Sequence, residues 1–213
     1  MQSATTARPS SCCAGCTRRT ARRASATSAS RSRKSDIMAE KVPSREECLR
    51  MLRDSGTLDN IIAHSVAVTD IAMELGRAMA ARGEKVDLRL LEAGSLLHDI
   101  GKTEGLKGGH ESEVSHGDIG AEMLNKMGYR RLAEIARAHM FSKIFEKGAL
   151  DTWEKKLVYY ADKRVNHDKR VRLSERLDYL TNRYPRGAEM FRKARPMLLR
   201  MEKEIFEKAG MTI

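Results

Sequence analysis

Leu96-Leu97-His98-Asp99-Ile100-Gly101-Lys102 closes an apolar run that begins at Leu88. Within that run Leu91, Gly94 and His98 recur at helical spacing and share one face. His98 therefore stands where a core-facing stripe would carry an aliphatic side chain. Asp99 follows directly, and Gly101 lets the backbone turn away. An imidazole and a carboxylate side by side at a helix end can offer nitrogen and oxygen to one point, as a divalent cation requires. A capped helix end would carry the same two residues, so the pair decides little until the other histidines are placed.

Four further helices bear on it. A long one is expected from about Leu58 to Arg82, stopped by Gly83. Its stripe is Ile61, Val68, Ile71 and Leu75, with His64 between the first two. A helix from about Arg130 to Met140 has the stripe Leu132, Ile135, Ala136 and His139. Another, from Trp153 to about His167, has Val158, Ala161, Asp162 and Val165. His116 opens a helix to about Met127, in phase with Ile119 and Met123. One buried histidine bonded to a carbonyl is ordinary. Six titratable groups (His64, His98, Asp99, His116, His139, Asp162) sent into one core are costly unless something pairs them. A metal ion does so directly, because coordination offsets the desolvation of imidazole and carboxylate.

The rest of the body reads as helix and turn. Ser44 and Glu47 are spaced as a capping box for a short helix ending near Ser55-Gly56, and Asp151 and Glu154 as a second box. Gly101 to Ser115 reads as a Gly-rich loop, Ser174 caps a helix ending before Pro185, and Gly187 to Lys208 is a last amphipathic helix. No stretch alternates with period two, so the expected class is all-α. The expected layout is one domain over residues 38–213, its motif-bearing core near 58–185, behind a basic Ser/Arg-rich extension over residues 1–37.

That extension has almost no large apolar side chain and is expected to be disordered. A transit peptide and a metal site at Cys12-Cys13-x-x-Cys16 are alternatives, and Met38 is a natural initiator. The net charge of the 213 residues is +11, of which the extension supplies +7 from eight Arg/Lys and one Asp. A remainder near +4 gives no reason to expect nucleic-acid binding. Three of the four cysteines lie in the extension, which is no disulfide framework and suits a reducing cytoplasm. No apolar run reaches the ~18 residues of a membrane span.

In order, His64, His98-Asp99 and Asp162 resemble the H…HD…D pattern of the HD superfamily of metal-dependent phosphohydrolases, and His98-Asp99-Ile100-Gly101 is similar to its HDIG form. The resemblance implies an all-α helical bundle with a central metal site and His64, His98, Asp99 and Asp162 as ligands of one ion. In branches with two ions, two further histidines stand between the HD pair and the last Asp. His116 and His139 occupy that interval, with Asp99 bridging. The spacing is similar to that of hydrolases of symmetrical dinucleoside tetraphosphates. It departs from the cyclic-dinucleotide branch, since no Gly-Tyr-Pro follows and Met140 stands after His139.

The chemistry expected is attack on a phosphoester or phosphoanhydride of a nucleotide-type small molecule by water that a divalent ion has acidified towards a pKa of ~7. Mixed N/O ligands favour Mn or Fe, with Mg or Co compatible. Asp99 and Lys102 are the catalytic candidates. Lys102, His110, Lys163 and Arg164 are the substrate-binding candidates, with a solvent-exposed loop as the alternative for His110. His167, among Lys163, Arg164, Lys169 and Arg170, reads as a charge cluster at a helix end. One ion or two, and monomer or homodimer, stay open. So do two rival functions: a non-catalytic metal-holding module that senses a nucleotide or docks a partner, and an RNA-end phosphodiesterase.

Overall fold

The computed structural model describes residues 41–107 and 115–213, and over these it is a helical bundle. The first helix is α1 (Arg45–Asp54). Ser44 and Glu47 form the expected capping box there, each side chain accepting from the other's main-chain N–H. The long helix α2 (Asp59–Ala81) ends where expected, with Gly83 at φ +89° just beyond it. Ile61, Val68, Ile71 and Leu75 are buried along it, and so is His64. Next comes α3 (Leu88–Leu97), capped by the Asp87 carboxylate, which accepts from Leu90 N at 3.1 Å.

α2, α3 and α7 (Trp153–Asp162) form the centre of the bundle, each packing on the other two. α1 lies against α3, and α6 (Arg130–Ala138) lies against α3 and α7. The α3–α6 approach is close at Gly94, where a Cβ would come within 2.7 Å of the Ile135 side chain. α8 (Leu173–Arg183) and α9 (Ala188–Ala209) close the other side, α9 touching α2 and α7. The fully buried Leu91, Leu97, Leu132, Leu157 and Tyr160 lie in the continuous apolar core between these elements.

Several local expectations are corrected. The stretch after Gly101 is not all loop: Lys102–Lys107 is a short helix, α4, whose start continues the turn through Lys102 N to Asp99 O and Gly105 N to Gly101 O. Residues 1–40 and 108–114, and with them His110, lie outside the described residues. Helix α5 (His116–Lys126) buries Gly117, Gly120, Ala121 and Leu124, while Met127 beyond it is exposed, so its core stripe runs one position from the Ile119–Met123 line. Its glycines explain the shift. A Cβ at Gly101 would meet Gly120 N at 2.3 Å, so backbone packs on backbone where larger side chains would not fit.

The second capping box does not form. Thr152 caps α7 through Lys155 N, and the Glu154 carboxylate instead accepts from Asp87 N at 2.7 Å, tying α7 to the start of α3. α7 also ends at Asp162 rather than near His167. Val165–Asn166 (β1) and Lys169–Arg170 (β2) pair antiparallel, with His167 in the turn at φ +60°. Arg164 N and Lys163 N still bond back into α7, after which the hairpin replaces helical bonding.

Candidate metal centre

Four elements deliver the imidazoles. His64 lies on the inner face of α2. His98 is the residue after α3, His116 the first of α5, and His139 the residue after α6. Asp162 is the last residue of α7. The carboxyl ends of α3, α6 and α7 thus meet at one place. The aligned peptide dipoles make each of these ends partly negative, a setting that favours a cation.

Three of the rings are fixed the same way. His64 Nδ1 donates to His167 O at 2.6 Å, His98 Nδ1 to Ser95 O at 2.7 Å and His139 Nδ1 to Ala136 O at 2.5 Å. A carbonyl can only accept, so each ring carries its proton on Nδ1. In the neutral form each then presents a bare Nε2 lone pair.

All three lone pairs face carboxylate, and that of His139 also lies 3.0 Å from His116 Nε2. Asp99 Oδ2 stands 3.8 Å from His64 Nε2 and 3.6 Å from His98 Nε2. Asp99 Oδ1 stands 3.3 Å from the Nε2 atoms of both His116 and His139. Asp162 Oδ1 lies 3.0 Å from His64 Nε2 and 3.8 Å from His98 Nε2. Lone pairs aimed at lone pairs repel unless a cation or a proton lies between them. His98 Nε2 and Asp99 Oδ1 are buried and lack a hydrogen-bond partner among the described residues. Leaving two such atoms unpaired costs ~1–3 kcal/mol each. Ligand atoms of His64, His98 and Asp99 all lie within 4.8 Å of one another, and so do those of Asp99, His116 and His139. Asp162 sits beside the first group, against its two imidazoles. The set contains nitrogen and oxygen without thiolate and fits a hard or borderline divalent ion.

Charge supports the same reading. Complete burial pushes His98 down to about 3, so the ring is neutral and free to donate its lone pair. Burial likewise lowers His139. Burial opposes ionisation of Asp99 and Asp162, yet the ammonium groups of Lys102 and Lys163, at 2.6 and 2.7 Å, outweigh it and hold both carboxyls well below the usual range. His64 is the exception. Burial lowers it, but its bond to Asp162 prevails and raises it, so that a proton occupies the His64–Asp162 gap when nothing else does.

The other expected residues fall differently. Lys102 Nζ lies 2.6 Å from Asp99 Oδ2 and lines the cleft. Lys163 is buried, its Nζ 2.7 Å from both Asp162 Oδ2 and His139 O, so it braces two site residues. Arg164 turns away: Nε donates to Val171 O at 2.7 Å, and Nη1 reaches Tyr160 and Glu202. His167 contributes its main chain through the bond to His64. Arg176 and Tyr184 line the cleft, although no motif in the sequence marks them. The cleft has two parts, of about 240 Å³ over Asp99, His116 and His139 and about 350 Å³ beside His64.

A sequence model of the HD domain matches residues 61–166, the interval that holds all six candidate ligands. The chain is 32% identical over 142 residues to an uncharacterized protein of Methanocaldococcus jannaschii, covering 61% of this chain and 80% of that one. It is 29% identical over 154 residues to a tRNA (cytidine(56)-2'-O)-methyltransferase of Picrophilus torridus, covering 67% of this chain and 42% of the relative. It is 49% identical over 69 residues to ribonuclease Y of Fervidobacterium nodosum, covering 32% of this chain and 12% of the relative. The chain thus spans less than half of these two named relatives. No solved structure matches it.

Proposed function

The chain belongs to the HD domain family, and on that premise we propose that it is a metal-dependent phosphohydrolase acting on a phosphoester or phosphoanhydride bond of a nucleotide. One observation supports this above the rest. Three imidazoles, each with Nδ1 committed to a main-chain carbonyl, turn Nε2 towards carboxylates, and the two oxygens of Asp99 divide among them. His64, His98, Asp99 and Asp162 would hold one divalent ion, and Asp99, His116 and His139 a second; Mn or Fe suits the donors best. Such ions supply Lewis acidity towards phosphoryl oxygen and acidify water.

The chain's own groups do the rest. Lys102, facing the cleft beside Asp99, places positive charge where phosphate would bind. Lys163 occupies Asp162 Oδ2 and leaves Oδ1 to the ligand cluster. Phe141 and Phe191, packed edge to face at 4.8 Å, form an apolar part of the cleft wall.

A second reading draws on two relatives whose names concern RNA: the bond attacked could be a phosphodiester of RNA. One assay covers both. Protein stripped of metal and reloaded with Mn or Fe is incubated with mononucleotides, dinucleoside tetraphosphates, cyclic dinucleotides and a short RNA. Metal-dependent cleavage of at least one of them, abolished by Asp99→Ala, is expected. A chain with full metal occupancy that cleaves none would be a non-catalytic module instead.

A further inference from the structure

The two parts of the cleft share Lys102, Arg176 and Tyr184. Lys102 already has Asp99. Among the described residues Arg176 has no carboxylate: Nη1 donates to the Asn166 side chain at 2.8 Å, the guanidinium lies 5.4 Å from the centre of the Tyr179 ring, and Nε is buried without a hydrogen-bond partner. A guanidinium N–H kept dry and unpaired beside a lysine is costly in the free chain, and phosphate is the anion whose geometry its planar fork matches. The larger part of the cleft adds two side-chain amides, Asn60 and Asn166, a carboxylate, Asp168, and two exposed aromatic rings, Tyr179 with Arg176 over one face and Tyr184 with Arg183 over one face, which leaves the other face of each ring. Amides both donate and accept, and rings offer flat apolar faces, the pairing by which single nucleobases are recognised. At about 350 Å³ this space suits one nucleoside rather than two.

We infer that Lys102 and Arg176 clamp one phosphate at the junction of the two cavities, and that the nucleoside joined to it occupies the larger cavity against Tyr184. The reacting bond then lies on the Asp99 side; that orientation rests on the proposed hydrolase activity, whereas the binding does not. The substrate class is a nucleoside phosphate, discriminated from other phosphate esters by its base.

The test is calorimetric binding of AMP, ribose 5-phosphate and inorganic phosphate to the Mn-loaded full chain. AMP is expected to bind ~10-fold tighter than ribose 5-phosphate, the scale of one base–aromatic contact. Tyr184→Ala should erase that difference, and Tyr184→Phe should keep it. Arg176→Ala should weaken AMP and ribose 5-phosphate alike by ~10-fold or more, with partial recovery in Arg176→Lys. Should Arg176→Ala fail to fold, Arg176→Lys and the tyrosine variants still decide. Equal binding of AMP and ribose 5-phosphate by the native chain, or AMP affinity unmoved by the Arg176 variants, overturns the inference. Hydrolysis with KM unmoved by Arg176→Ala would end the clamp and leave the hydrolase. The expected binding pattern in a chain that hydrolyses nothing would end the hydrolase and leave the clamp.

Discussion

At Asp99 the two carboxylate oxygens keep different company. Oδ2 faces His64, His98 and Lys102, and Oδ1 faces His116 and His139. That division separates the consequences of two substitutions. Asp99→Ala should release both ions and abolish hydrolysis, whereas His116→Ala should release one; metal analysis of the purified variants checks this.

The histidines also give the metal-free chain a two-sided pH profile. His98 and His139 are depressed in the fold, so below pH ~6.5 the unfolded chain binds protons that the folded one refuses, and stability falls with acid towards pH 3. His64 is raised, so its contribution is complete below ~6.5 and is lost as pH rises through its folded value. Urea midpoints in chelator are expected to peak near pH 6.5 and to decline on both sides. Mn should flatten the alkaline side by replacing the His64 proton. A flat acid limb would contradict the buried, neutral state of His98.

The elements carry the site mainly at their ends, and this governs what could be read in advance. Helical spacing placed His64, His139 and Asp162 correctly because their neighbours Val68, Ile135 and Val158 are buried on the same faces. It failed where glycines form the contact, in α5, since a residue without a side chain adds nothing to an apolar stripe. It failed again after Asp162. The polar run Lys163-Arg164-Val165-Asn166-His167 fits a helix locally, and the left-handed turn falls on a histidine instead of a glycine. With the helix cut short, the directions of Lys163 and Arg164 could not follow from helical phase. Arg176 and Tyr184 reach the cleft only through the packing of α8, which no local pattern encodes.

Two substitutions probe this scale. Gly101→Ala would drive a methyl against Gly120 N and His116 O, at 2.3 and 2.5 Å, where only backbone can yield. It should cost ~1–3 kcal/mol and weaken the His116 ligand. Thermal melts and metal stoichiometry read the two effects separately. Ser44→Ala removes the α1 capping box and should cost ~0.5–2 kcal/mol in urea unfolding with hydrolysis unchanged, because α1 packs on α3 and contributes no site residue.

Over the whole molecule, the candidate ligand atoms come from α2, α5, α7 and the residues that directly follow α3 and α6, so an ion at the site would tie most of the bundle together. No helix among the described residues is long and apolar enough to cross a membrane. An ion held by the folded chain alone stabilises it by ~2.7 kcal/mol at a free concentration 100 times its Kd. Mn should therefore raise the melting temperature of the native chain and leave Asp99→Ala unmoved. The most direct measurement is calorimetric titration of Mn into the chelator-stripped native chain and into Asp99→Ala. Two ions per native chain, with proton release, and none in Asp99→Ala is the predicted result; no saturable binding by the native chain, or equal binding by both, would contradict it.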